Sequence, residues 1–148
     1  MPLNSKDSEL LRCLNKNGRA SQRELAATTG VALGTVNSHI KNLEKEKIIK
    51  GYYAHIDPEK IGFTLTAIIN LRITKGKIMD LQATIAKHPR VFGVYDVTGE
   101  WDSLVLARFK DREEMDSFIK TTLSQKNIER TSTSLVLNTV KEEPRVLL

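Results

Sequence analysis

The chain has 148 residues, 40% of them apolar, with a formal net charge of +5 and a pI of about 9.4. That length holds one ordinary domain or two small ones, and that apolar content excludes wholesale disorder. The positive balance favours an anionic partner, but it is modest and decides little alone.

The single cysteine, Cys13, lies between Leu11 and Leu14 in a helical pattern and reads as a buried thiol. It excludes an intramolecular disulfide and suits a reducing cytoplasm. The N-terminus lacks a basic-then-apolar leader, and no apolar run approaches ~20 residues. The chain is therefore expected to be soluble and cytoplasmic, with no membrane partner.

Asn4 or Ser5 can cap a first helix over Lys6 to Asn15, with Leu10, Leu11 and Leu14 inward. Asn17-Gly18 ends it with a turn. Ser21 then stands three residues before Glu24, the spacing of a reciprocal capping box, and opens a second helix with Leu25 and Ala26 inside. Gly30 supplies a residue that tolerates positive φ at its end. A third helix places Val36, Ile40 and Leu43 on one side. Its other side carries Thr35, Asn37, Ser38, His39, Lys41 and Asn42, with no acid before Glu44. A helix pair of this kind occurs in many all-α domains. It is also a helix-turn-helix, whose second helix enters the DNA major groove. Lys16, Arg19 and Arg23, near the second helix start, are placed to meet phosphates or to remain solvated surface. Residues 1–52 form this unit.

Ile48 to Tyr53 reads as a short strand or tether, and Asp57-Pro58 and Gly62 mark turns, so residues 53–62 form a hinge. From Phe63 the period switches to two: Phe63, Leu65, Ala67, Ile69, Leu71 and Ile73 share one face of a long strand. Ile78, Leu81 and Ile85 then mark a helix ended by His88-Pro89. A strand over Val91 to Thr98, a loop over Gly99 to Asp102 and a strand over Leu104 to Phe109 follow. Asp111 caps a helix facing inward through Met115, Phe118, Ile119 and Leu123, and Thr131 to Val140 is a last strand. The order β-α-β-β-α-β over residues 63–148 is the split βαβ, ferredoxin-like arrangement. The fold class is α+β: a three-helix, winged helix-turn-helix domain before a ferredoxin-like domain. Two helices cover only one sheet face, yet Ile68, Leu104 and Leu106 make the other face apolar as well. A second copy of the sheet is the economical cover.

The chain at this point resembles the Lrp/AsnC, or feast/famine, transcriptional regulators. The resemblance rests on the three-helix unit, on Ile48-Ile49-Lys50-Gly51-Tyr52 as a hinge strand, on Val97-Thr98-Gly99-Glu100-Trp101-Asp102 and on Glu129-Arg130-Thr131-Ser132-Thr133. It covers nearly the whole chain. Ala32 stands where the family often has a capping Ser, and Lys47 where it often has Gly. The resemblance implies palindromic duplex DNA as partner, dimers through the sheets, octamers or higher assemblies, and an amino-acid effector between dimers. It carries Thr98, Gly99, Glu100, Trp101, Asp102, Ser103, Thr131, Ser132, Thr133 and Ser134 as effector-binding positions. The archaeal members that respond to glutamine, lysine or arginine are closest in style, and glutamine is the effector favoured.

The residues support such a site on their own terms. Asp102 can accept from an ammonium, Gly99 lets loop amides approach a carboxylate, and the Thr131 to Ser134 hydroxyls suit a neutral amide. Equally, Asp102 can cap a hairpin, Trp101 can be core, and Thr/Ser ladders are ordinary in strands. His39, His55 and His88 fall in three different elements, no metal-ligand spacing occurs and no phosphate-cradling glycine loop is present. The expectation is a regulator without catalytic residues, metal or cofactor. The alternatives are an amino-acid sensor acting on protein partners and a metal-sensing regulator.

Overall fold

The computed structural model describes residues 3–146 and 148, which divide into two compact units. The first comprises the chain up to His55 together with Lys141 onward, and the second runs from Ile56 to Val140.

The first unit holds α1 (Ser5–Lys16), α2 (Gln22–Thr29) and α3 (Leu33–Lys45). Leu10, Leu25, Val36 and Ile40 form its buried centre, one or two from each helix, and Cys13, Leu14, Ala26 and Val31 pack around them. Both helix starts are fixed locally. Asn4 caps α1: its side chain accepts from the Asp7 amide at 2.8 Å, and Asp7 accepts in return from the Asn4 amide. Ser21 and Glu24 do the same for α2, and the Ser21 amide donating to Glu24 at 2.6 Å holds that carboxyl below its usual range. Gly30 ends α2 in the left-handed region, at φ 65°.

The end of α3 is a Schellman motif. The Ile48 amide donates to the Leu43 carbonyl at 2.9 Å and the Lys47 amide to the Glu44 carbonyl at 3.0 Å. That geometry forces Lys47 to φ 58°, the only non-glycine residue with positive φ among the described residues. Beyond it, residues 50–57 adopt neither helix nor strand. A C-terminal segment joins the unit: Arg145 donates to the Asn15 carbonyl and the Asn15 amide group to the Val146 carbonyl, which lays Arg145 and Val146 on α1. The segment from Lys141 to Val146 forms no helix or strand. Its own ion pair, Arg145 to Glu143 at 2.6 Å, holds the Glu143 carboxyl at about 2.

The second unit begins with a turn of 3-10 helix (Glu59–Ile61), followed by β1 (Leu65–Ile73), α4 (Ile78–Ile85), β2 (Val91–Asp96), β3 (Ser103–Phe109), α5 (Arg112–Thr122) and β4 (Ile128–Leu135). The strands form one antiparallel sheet in the order β2-β3-β1-β4, which is the expected ferredoxin-like topology. Ala67, Ile69, Leu71 and Ile73 of β1 join Val105, Ala107 and Phe109 of β3, and all are buried under Leu81, Ile85, Phe118 and Leu123 of the helical layer. Asp111 caps α5 as its sequence position implies, accepting from the Glu114 amide at 2.8 Å.

Several strand boundaries differ from the sequence reading. Phe63 belongs to the turn before β1, because its amide is taken by the Pro58 carbonyl. The second strand stops at Asp96, where the Val97 amide closes the loop onto the Asp102 carbonyl. The last strand starts earlier and ends earlier than Thr131 to Val140. It pairs with β1 from Ile128 onward, and after the Val136 amide has met Thr66 its partner strand has run out.

A lysine in the left-handed region costs more than a glycine there, because its Cβ crowds the following carbonyl. Lys47→Gly is expected to stabilise the fold by about 1 kcal/mol, read as a higher denaturation midpoint with an unchanged slope.

Candidate DNA-reading face and effector pocket

On the helix-turn-helix, the residues named from sequence fall into two groups. Arg19, Arg23, Ser38, Lys41 and Asn42 are exposed. Ser38 donates to the Gly34 carbonyl one turn back, so its oxygen still faces outward as an acceptor. Thr35, Asn37 and His39 are half-buried. Asn37 lies 3.4 Å from the Gln22 amide group and so links α3 to α2. His39 differs from expectation. Its Nδ1 is 2.6 Å from Asp7 Oδ1, which turns the imidazole toward α1 and makes it a strut between the first and third helices. Helical periodicity placed it on the polar face; the cap at the start of α1 claims it instead. The open stripe of α3 is therefore Gly34, Ser38, Lys41, Asn42 and Lys45, at helical spacing.

In the second unit a cavity of about 300 Å³ is lined by Arg72, Gly99, Glu100, Trp101 and Arg130. Gly99, at φ 115°, makes the loop between β2 and β3 turn sharply enough to present Glu100 and Trp101. Glu100 touches both arginines: its carbonyl accepts from Arg72 at 2.8 Å and its carboxylate lies 3.2 Å from Arg130. The Arg130 guanidinium stacks over the Trp101 ring at 4.8 Å. Thr98 is exposed beside this loop.

Several predicted effector positions are otherwise engaged. Asp102 accepts from the Ile73 amide at 2.8 Å and approaches Arg72 at 3.4 Å, so its carboxylate buttresses the strand end and the arginine. Ser103 is fully buried; it donates to the Tyr95 carbonyl and accepts from Gln82, which removes it from any ligand surface. The four hydroxyls of the last strand do not form one lining. Thr131 and Thr133 pair with Leu71 and Ile69 and share the helix-covered face, while Ser132 and Ser134 pair with Asn70 and Ile68 on the opposite face. Arg72 and Arg130 pair with each other on that same opposite face. Sequence reading missed both arginines as site residues. The available signal was the register: Arg72 is the single charge within β1, and Arg130 lies inside a motif already noted. Among the described residues, no group of three or more His, Cys, Asp or Glu is placed to hold a metal ion.

A compact three-helix reader with an open polar stripe, joined to a ferredoxin-like domain with a charged, ligand-sized pocket, defines a ligand-responsive transcriptional regulator of the helix-turn-helix type. Comparison with known proteins narrows the class. Residues 3–50 match the family described as winged helix-turn-helix DNA-binding, and residues 66–146 match the Lrp/AsnC ligand binding domain. An uncharacterised HTH-type transcriptional regulator of Pyrococcus abyssi is 42% identical over 97% of this chain and 98% of its own length. The HTH-type transcriptional regulator Ptr1 of Methanocaldococcus jannaschii is 33% identical over 92% and 93%. Among solved structures, a transcriptional regulator of Neisseria meningitidis in complex with L-Met superimposes with a TM-score of 0.89 at 30% identity, covering 99% of this chain and 97% of that one. The chain belongs to the Lrp/AsnC family of DNA-binding transcriptional regulators, and its second domain is the family's amino-acid-binding domain.

Gly34 stands in the open stripe with ordinary helical φ, and a Cβ there would meet nothing within 4 Å. Gly34→Ala is therefore expected to stabilise the fold by about 0.4–1 kcal/mol. A simultaneous loss of DNA affinity in that variant, measured by gel shift, would place the DNA backbone against this residue.

Proposed function

We propose that the protein binds a palindromic operator sequence-specifically and that a free amino acid, bound at the Glu100–Trp101 loop between neighbouring dimers, shifts its assembly and so its choice of operators. The observation that carries this reading is the sheet face left without helices in its own unit. Ile68, Leu104 and Leu106 lie on it half-buried, Tyr95 lies across Gly93 there, and the Arg72–Arg130 pocket opens at its margin. An apolar face of this kind fits a second copy of the sheet and yields a symmetric dimer with two readers. Dimers then join through the loop edges into octamers or a related closed ring. A ligand at such a seam makes different contacts in different assemblies, which is what shifting their populations requires. The protein acts in the cytoplasm, where its DNA and effector are found.

Arg23, Arg19 and Lys41 serve phosphates, while Asn42, Ser38, Asn37 and Thr35 serve base edges or hold the reader in register. His39 acts through Asp7 by fixing the angle of α3. Arg23→Ala and Lys41→Ala should weaken specific and random duplex alike and lower the salt dependence of binding by about 0.9 per lost phosphate contact. Asn42→Ala should cost discrimination of about 1–3 kcal/mol if it contacts a base. Failure of the parent protein to bind any duplex at low salt would overturn the reading. Leu106→Lys places a charge on the open sheet face and is expected to convert the dimer to monomer in light scattering. An unchanged mass would move the dimer interface elsewhere.

A further inference from the structure

Asn37 stands at the edge of the open stripe of α3, three residues after Gly34 and four before Lys41, so it neighbours both on the helix surface. Its amide is turned toward α2: Asn37 Oδ1 accepts from Gln22 Nε2 at 3.4 Å. Gln22 is exposed, at the first position of α2. A bond of that length adds little to stability. Its consequence is directional. An asparagine amide carries an acceptor at one end and two donors at the other. Gln22 engages the acceptor end, while Asn37 Nδ2 makes no hydrogen bond among the described residues.

We propose that Gln22 is a positioning residue for DNA reading: it holds the Asn37 amide with its amino group toward the groove, so that Asn37 selects a base presenting an acceptor. The inference rests on the reading that α3 enters the major groove and that Asn37 meets a base edge there. In that groove guanine shows two acceptors, N7 and O6, and thymine shows O4. Cytosine shows only an amino group. Bidentate recognition of adenine needs the amide oxygen at the base as well as the amide nitrogen, and here the oxygen is turned to α2. Asn37 therefore selects guanine or thymine and rejects cytosine. Gln22 itself touches no base; it acts by choosing which end of a neighbouring amide faces outward. Its chemistry makes that choice reversible by one substitution. An ionised carboxylate accepts and cannot donate, so in Gln22→Glu the Asn37 amino group turns toward α2 and the oxygen toward the groove. The matching bases are then those that carry an amino group, adenine and cytosine.

Selection of bound duplexes from a randomised pool, read by sequencing, tests this on the full chain and on its Asn37→Ala, Gln22→Ala and Gln22→Glu variants. The position whose preference is lost in Asn37→Ala is the one that Asn37 reads. There the parent is expected to favour guanine or thymine over cytosine by at least about fivefold. Gln22→Ala, which frees the amide, should lower that ratio by about threefold or more, and Gln22→Glu should invert it toward adenine or cytosine. Because Gln22 is exposed, both variants should keep the parent's denaturation midpoint. A lowered midpoint with unchanged base preference makes the Gln22–Asn37 bond a strut and overturns the proposal. Unchanged preference in both Gln22 variants overturns it at any midpoint. A parent preference for adenine or cytosine at this position also overturns it, as does an Asn37→Ala variant that selects the same sequence as the parent. If the added charge of Gln22→Glu prevents binding, the ratio in Gln22→Ala decides. A parent that binds duplex without selecting any sequence sinks the proposal alone, whereas a parent that binds no duplex sinks the reader assignment with it.

Discussion

The pairing of β1 with its two neighbours sets what every other part of the second unit can do. β1 is a central strand, with β3 on one side and β4 on the other. Its odd-numbered residues, Ala67 to Ile73, pack under α4 and α5, and its even-numbered residues, Ile68, Asn70 and Arg72, face the other way. Side chains alternate strictly along a strand, so a one-residue slip would exchange the two sets and expose the core. The buried face therefore determines the composition of the open face. It brings Leu106 and Ser134 beside Ile68, Leu104 and Ser132 beside Asn70, and Arg130 against Arg72. Placement of the pocket cations is a consequence of core packing several residues away.

The reader unit is built on a different principle. Its elements are set by short-range devices: two capping boxes, a left-handed glycine and a Schellman end, each spanning only a few residues. What joins them is a small centre of Leu10, Leu25, Val36 and Ile40, reinforced by two polar ties, Asn37 to Gln22 and His39 to Asp7. Asp7 serves twice, once in the cap of α1 and once as the anchor of α3. The angle of the reading helix is thus coupled to the start of the chain's first helix, and the last residues of the chain lie on that same helix through Asn15 and Arg145.

The loop between β2 and β3 is fixed by the sheet at one end and open at the other. Asp102 and Ser103 point inward and spend their polar groups on the strand ends, on Gln82 and on Tyr95. This leaves Gly99, Glu100 and Trp101 as the outward part. A loop anchored at one end and open at the other combines rigidity with access, which is what a specific ligand site requires. On the proposed reading, the rigid end registers the strand position and the open end registers the ligand.

From the sequence alone the element order, the family, the helix caps at Ser21 and Asp111, the buried stripe of β1 and the apolar residues on its opposite face were all legible. Each of these is written in local spacing: capping offsets, a period of two or of 3.6, a glycine where φ is positive. Side-chain partnerships across elements were not legible. His39 looked free because Asp7 lies 32 residues away in the chain. Asp102 looked available because the amide that claims it belongs to Ile73 on another strand. The run Thr131 to Ser134 looked like one surface until the β1–β4 register divided it, and Arg72 and Arg130 became neighbours only through that register. Local propensity determines which elements form and which face of each is apolar. Which polar groups meet is decided when the elements pack, since a hydrogen bond or ion pair depends on ångström distances that residue spacing along the chain does not encode.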